Sequence, residues 1–162
     1  MLLYIVRHGL AGQHGDPNYP NDDLRPLTKK GRKQVSKLAK KLARRGFAPT
    51  LVVTSPLVRC RQSAEEICQR LSPEPELAES EHLRPGSSFE ALISWTNDQG
   101  VEDVAWVGHA PDVDDMGAIL LGGRAGSIVF AKGAVAAIEF DGKIAVGRGQ
   151  LCWLLRPDVL GC

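Results

Sequence analysis

The sequence has no apolar run near the roughly 20 residues that a membrane-spanning helix needs, and its first residues lack the basic segment that opens a signal peptide. Four cysteines occur without a CxxC pair and without a histidine at zinc-ligand spacing, so we expect free thiols. Aromatic residues make up only 6% of the chain, and no repeat or low-complexity tract is present. These absences favour a globular cytoplasmic protein and argue against membrane-embedded, fibrous and disulfide-stapled classes.

What is present is enough apolar material for one core. With 162 residues, 43% of them hydrophobic, we expect a single domain over residues 1–162. Three short apolar runs at residues 2–6, 50–54 and 104–107 alternate with segments of helical periodicity. This alternation predicts an α/β fold: a three-layer α/β/α sandwich around a mostly parallel sheet. Two late strands, at about 133–140 and 143–155, would add an antiparallel edge.

Four helices are predicted between these runs. The first begins after Thr28 as N-cap and is stopped by Gly46; the second follows Ser55, read as an N-cap with proline at the first helical position. The other two fall near residues 89–95 and 112–121, and residues 72–87 are expected to be irregular.

The first helix, Lys29 to Arg45, is strongly basic, since residues 28–46 carry nine Lys or Arg and no acid. Such a face can dock an acidic partner or nucleic acid. A solvated outer face is the simpler interpretation, because the basic residues fill the positions that the apolar stripe leaves free. We therefore expect no nucleic-acid partner, and no membrane partner either. The sequence does not define the oligomeric state, and we expect a monomer.

Basic and imidazole side chains follow the predicted strands. Arg7 and His8 end the first strand and His109 ends the third, while Arg59 lies near the start of the second helix. Arg25 closes a long polar loop over residues 10–27. Because the carboxyl ends of parallel strands meet at one edge of a sheet, these side chains should converge there. Guanidinium forks match phosphate oxygens, and a histidine among them can act as a general base or attack phosphorus directly.

These motifs resemble the histidine phosphatase (phosphoglycerate mutase-like) superfamily. The matching blocks are Arg7-His8-Gly9, residues 55–64 from Ser55-Pro56 through Arg59, and Gly108-His109. Arg25-Pro26-Leu27-Thr28 with Gly31, together with the short chain, resembles the small SixA-type phosphohistidine phosphatases. The resemblance implies that His8 is a covalent nucleophile and that Arg7, Arg59 and His109 bind phosphate. It also implies that Arg25 completes the pocket, with neither a metal nor another cofactor.

One departure bears on the substrate. Many members of the superfamily carry a catalytic acid where this chain has Pro85, in the segment Glu81-His82-Leu83-Arg84-Pro85. Without that acid an alkoxide leaves poorly, whereas the imidazole of a phosphohistidine leaves well, so a phosphohistidine on a protein is the favoured substrate. Glu81 and His82 are candidate substitutes, although exposed loop residues are the simpler interpretation.

Two alternatives remain open at this stage. A phosphatase acting on a small phosphorylated metabolite would use the same residues, and a non-catalytic phosphoryl-binding module would keep the arginines without turnover. The span from residue 71 to 104 has room for one helix and little else, which favours an open site and hence a protein substrate. Asp112, Asp114 and Asp115 favour a helix start over a metal site.

Overall fold

The structure, a computed structural model, describes residues 1–162. Its centre is one six-stranded sheet in the order β3-β2-β4-β1-β5-β6. The strands are β1 Leu2–Arg7, β2 Leu51–Thr54, β3 Glu76–Glu79, β4 Asp103–Gly108, β5 Val135–Glu139 and β6 Gln150–Leu155. Strands β1 to β4 pair in parallel, and β5 and β6 join antiparallel beyond β1. The predicted parallel sheet with an antiparallel edge is confirmed.

Four α-helices cover the two faces of this sheet. They are α1 Lys29–Ala43, α2 Val58–Cys68, α3 Phe89–Asp98 and α4 Asp112–Leu120. One core cluster joins α1 and α2 to the face that carries Tyr4 and Val6, and a second joins α3 and α4 to the face that carries Leu3 and Ile5. Alternate residues of β1 are therefore buried on opposite sides, as expected for a central strand, and the three-layer sandwich is confirmed.

Three local predictions need correction. Residues 76–79 form an edge strand beside β2, although 72–87 were expected to be irregular. Helix α2 begins at Val58 with Leu57 as its N-cap, so Ser55 does not cap it. The last strand is also shorter than expected and begins only at Gln150.

Helix α1 lies directly against the chain that leaves β1. Thr28 caps this helix as predicted, since its hydroxyl accepts a hydrogen bond from the Gly31 N–H. A Cβ at Gly31 would lie 2.0 Å from the Leu10 carbonyl oxygen, a contact that no side chain allows. Gly31 thus lets α1 approach closely enough to fix the backbone just after His8 and Gly9.

No helix in the structure is long and apolar enough to cross a membrane.

Candidate active site

The five sequence-predicted site residues line one cavity of about 620 Å³ at the carboxyl ends of the parallel strands. Arg7 ends β1 and His8 directly follows it, Arg59 is the second residue of α2, and His109 directly follows β4. A cavity of similar volume lies at the opposite ends of the strands, but Lys143 and the N-terminus are its only cations and it contains no histidine. The full lining of the first cavity is Arg7, His8, Ala11, Gly12, Gln13, His14, Asp22, Arg25, Arg59, His109, Ala110 and Lys132.

His8 is held as a neutral ring with one free nitrogen. Its Nδ1–H donates to the carbonyl oxygen of Gly9 at 2.8 Å, so the proton sits on Nδ1 and the lone pair on Nε2. Burial is the main cause that lowers the pKa of His8 to about 3, and the charge of Arg59 acts in the same direction. His8 is therefore unprotonated at neutral pH, as a nucleophile must be.

Arg7 and Arg59 each leave part of their guanidinium unused. Each side chain is anchored by its Nη1. In Arg7 this nitrogen donates to the Phe130 carbonyl oxygen, and in Arg59 it donates to the backbone oxygen of Asp22 at 2.8 Å. In both residues the Nε–H is buried and has no hydrogen-bond partner. A buried donor without a partner costs about 1–3 kcal/mol, so two of them at one cavity indicate that a ligand with acceptor oxygens belongs there.

Arg25 is in a different state. Its Nε and Nη2 bind the two carboxylate oxygens of Asp22, and its Nη1 donates to the Gly12 carbonyl oxygen. Asp22 also forms an ion pair with Arg59 at 3.1 Å. Hydrogen bonds from Arg25 are the largest cause that depresses the pKa of Asp22 far below its usual range. All three side-chain nitrogens of Arg25 thus have protein partners, and an ionised carboxylate already stands beside the phosphate-binding candidates.

His109 faces His8 across the cavity, with 5.9 Å between the ring centroids. Its Nε2 lies 3.2 Å from the carbonyl oxygen of Leu83, to which the Nε2–H donates, and 3.0 Å from the hydroxyl oxygen of Ser55. On the other side of the ring, Nδ1 lies 3.4 Å from the Cys60 sulfur, whose pKa is raised by burial so that it stays a thiol. Burial is also the first cause that lowers the pKa of His109, to about 4. These contacts fix its orientation.

Sequence reasoning missed three residues of the site. Asp22 and Lys132 line the cavity, and Ser55 supports His109 rather than capping a helix. Asp22 had a usable signal, because it stands three residues before Arg25 in the same loop. Lys132 had none, since only the path of the chain between α4 and β5 brings it to this edge.

The two candidate substitutes for the missing acid lie outside the cavity. Glu81 and His82 belong to a short 3₁₀ turn at Glu81–Leu83, and neither lines the site. Glu81 is bound by Arg84, which also pairs with Asp23 at 2.8 Å. No group of three or more His, Cys, Asp or Glu side chains is arranged to hold a metal ion. Asp114 and Asp115 instead accept hydrogen bonds from the backbone of the loop after α4.

The depressed pKa values of the two histidines predict a loss of stability in mild acid. Unfolded histidines take up protons near pH 6.5, while His8 and His109 stay neutral in the fold down to about 3 and about 4. The free energy of unfolding should therefore be highest above pH 6.5 and should decrease as the pH drops below it. At pH 5 the decrease should be roughly 2 kcal/mol for each of the two histidines. Asp22 adds nothing here, because its unfolded pKa of 3.8 lies below this window.

Urea unfolding of the wild type and of His8→Asn at pH 7 and pH 5 measures this effect. The variant should lose about 2 kcal/mol less than the wild type between the two pH values. Equal losses in both proteins would show that His8 is not buried in the neutral form.

Asp22 should compete with phosphate for the arginines. Replacing it with asparagine removes one negative charge from the cavity, so orthophosphate should inhibit Asp22→Asn with a Ki lower by about tenfold. Asp16→Asn, in the same loop but outside the cavity, is the matched control and should keep the wild-type Ki. A higher Ki in Asp22→Asn would mean that the carboxylate instead organises Arg25 and Arg59 for phosphate.

Comparisons with known proteins agree with this geometry. The sequence matches the model of the histidine phosphatase superfamily (branch 1) over residues 3–85, about half of the chain. The chain belongs to the histidine phosphatase superfamily, which makes it a phosphatase by family.

Individual relatives fall close to the predicted branch. An uncharacterised protein of Picosynechococcus sp. is 34% identical over 130 residues, covering 78% of this chain and 76% of that protein. The phosphohistidine phosphatase SixA of Escherichia coli is 28% identical over 160 residues, covering 97% and 94% of the two chains. A solved structure of the protein histidine phosphatase SixA complexed with tungstate superposes with a TM-score of 0.85 at 26% identity, over 99% of each chain. The resemblance to the SixA type is confirmed.

Proposed function

We propose that residues 1–162 form one histidine phosphatase domain that removes phosphate from phosphohistidine on a protein, through a covalent phosphohistidine at His8. One observation carries the proposal. A neutral His8 with a free Nε2 lies in the same cavity as the guanidinium groups of Arg7 and Arg59, whose buried Nε–H donors have no partner. A nucleophile beside unfilled anion-binding donors is the arrangement that phosphoryl transfer needs.

The reaction has two steps. In the first, His8 Nε2 attacks phosphorus in line, the new N–P bond forms, and the bond from phosphorus to the substrate imidazole breaks. The leaving imidazole departs with the proton that it already carries or takes one from water. In the second step water attacks the phosphoryl group on His8, which releases orthophosphate and a proton and restores the neutral ring. Arg7 and Arg59 offset the charge on the non-bridging oxygens in both steps.

The lack of a carboxylic acid that could donate a proton supports a phosphoramidate substrate. Asp22 is the only carboxyl group that lines the cavity, and its depressed pKa keeps it ionised at neutral pH. A positioned general acid contributes on the order of 10²–10⁴-fold when the leaving group is a strong base. An imidazole leaving group does not need that help, whereas the alkoxide of a phosphate ester does.

The open surroundings of the site support a protein substrate. The span between α2 and β4 contributes only the edge strand β3, one 3₁₀ turn and α3, none of which lines the cavity. Enzymes that act on small metabolites commonly close a loop or a lid over the substrate to exclude water. A site without such a cover can receive a side chain that projects from another protein.

A substrate panel tests the proposal. Purified protein is offered a phosphohistidine-bearing phosphotransfer domain, free phosphohistidine and a set of small phosphate esters, and kcat/KM is measured for each. We expect the phosphoprotein to be turned over at least about 10²-fold more efficiently than any ester. Efficient hydrolysis of an ester with no action on the phosphoprotein would replace the proposal with a metabolite phosphatase, and no turnover at all would indicate a phosphoryl-binding module.

A further inference from the structure

A second cavity, of about 380 Å³, adjoins the catalytic cavity. Lys132 lines both cavities. Gly133, the next residue in the chain, lies between Gln34 of the second cavity and Gly9 beside His8, because a Cβ at Gly133 would lie 3.7 Å from Gln34 Oε1 and 4.0 Å from the Gly9 Cα. The two cavities are therefore neighbours that share the Lys132 side chain.

The second cavity carries an unbalanced positive charge. Lys132 is exposed and takes part in no ion pair or hydrogen bond. The one acid of the cavity, Asp158, is already bound by Nε and Nη2 of Arg156, at 3.1 and 3.0 Å. Gln34 lies on α1 with Lys30 and Lys37 one turn away on the same stripe of the helix. One uncompensated lysine with further cations nearby favours an anionic group.

The same cavity offers a hydrogen-bond acceptor without a partner. Gln34 Oε1 is buried and accepts no hydrogen bond in the structure. Buried polar atoms in folded proteins are normally paired, so an unpaired acceptor in a cavity wall indicates that a donor arrives with the ligand. A backbone N–H is such a donor, and it accompanies every residue of a polypeptide except proline.

We propose that this second cavity is a subsite for an acidic residue that flanks the phosphorylated residue of a protein substrate. The carboxylate of that residue pairs with Lys132, and its backbone N–H donates to Gln34 Oε1. A single carboxylate suits the site better than a second phosphate, because the free cation is a lysine and the arginine fork of Arg156 is already filled by Asp158. The inference rests on the proposed function and names the feature of the substrate that the protein recognises.

Two phosphohistidine peptides that differ only in glutamate or glutamine beside the phosphorylated residue test the subsite. For the wild type we expect kcat/KM to favour the glutamate peptide by about fivefold, as for a partly exposed ion pair. Lys132→Glu should abolish or reverse this preference. Lys143→Glu, an identical charge change at the opposite ends of the strands, is the matched control and should keep the preference. Because each preference is a ratio within one enzyme, changes in turnover common to both peptides cancel, and thermal melting checks that both variants fold.

Three results would overturn the inference in distinguishable ways. Equal turnover of both peptides by the wild type would remove the subsite and leave the proposed function intact. A preference for the glutamate peptide that persists in Lys132→Glu would show that a residue other than Lys132 recognises the glutamate. Turnover of neither peptide by the wild type would refute the proposed function, and the subsite would fall with it.

Discussion

Replacing His8 with alanine should lower kcat on a phosphohistidine protein by on the order of 10⁴-fold or more, because the covalent route is lost with its nucleophile. The expectation follows from the tautomer of this ring. Nδ1 is engaged with the Gly9 carbonyl oxygen, so Nε2 is the only nitrogen that can attack phosphorus. The arginines remain in the variant, which should therefore still bind phosphate.

Trapping the intermediate separates a nucleophile from a general base. After brief incubation with ³²P-labelled substrate and quenching in alkali, wild-type protein should carry a label that is stable in base and released by acid, as a phosphohistidine is. His8→Ala should carry none. His82→Ala, a histidine outside the cavity, is the control and should be labelled normally. A label of the same amount on His8→Ala would place the phosphoryl group on another residue and refute the mechanism.

The sheet and its helices were accessible from the sequence because each signal was local. Buried runs such as residues 104–107 gave the central strands, and Thr28 and Gly46 bounded α1 through capping chemistry that the structure confirms at Thr28. Strand β3 carried no such signal. Its sequence is Glu76-Leu77-Ala78-Glu79, and it lies mostly exposed at the edge of the sheet. Apart from the packing of Ala78 on the core, it is joined to β2 by backbone pairing that any sequence can form.

The convergence of the site was predictable, but its state was not. That Arg7, His8, Arg59 and His109 meet follows from parallel strands that end at one edge. The tautomer of each histidine and the hydrogen-bond partners of each guanidinium were not predictable. They depend on carbonyl groups and loops that other parts of the chain bring to the site. Phe130, for example, supplies the acceptor for Arg7 from 123 residues away. For the same reason the sequence predicted a phosphate-binding role for both Arg25 and Arg59. In the structure, however, both carboxylate oxygens of Asp22 accept hydrogen bonds from Arg25.

The guanidinium edge formed by Nε and Nη2 is unpaired in both Arg7 and Arg59, so each arginine offers directed hydrogen-bond donors as well as positive charge. Nε and Nη2 of one arginine form a planar pair of donors that matches two oxygens of a phosphoryl group. Arg59 is 5% exposed, and its Nη1 is already fixed by Asp22, so this edge is oriented before any substrate binds. Preorganised donors of this kind lower the barrier without a reorganisation cost at the moment of reaction.

Arg59→Ala should accordingly reduce kcat/KM by on the order of 10²–10³-fold. Arg59→Lys is the decisive companion, because lysine restores the charge but cannot present two parallel donors, and it should recover little of the lost activity. Arg61→Ala, two residues further along α2 and half exposed, is the control and should behave like the wild type. Steady-state kinetics on the phosphohistidine protein, with melting curves to confirm folding, measure all three variants. Near-normal activity in Arg59→Lys would mean that a point charge at this position suffices, and that the unpaired Nε–H of Arg59 does not bind the phosphoryl group.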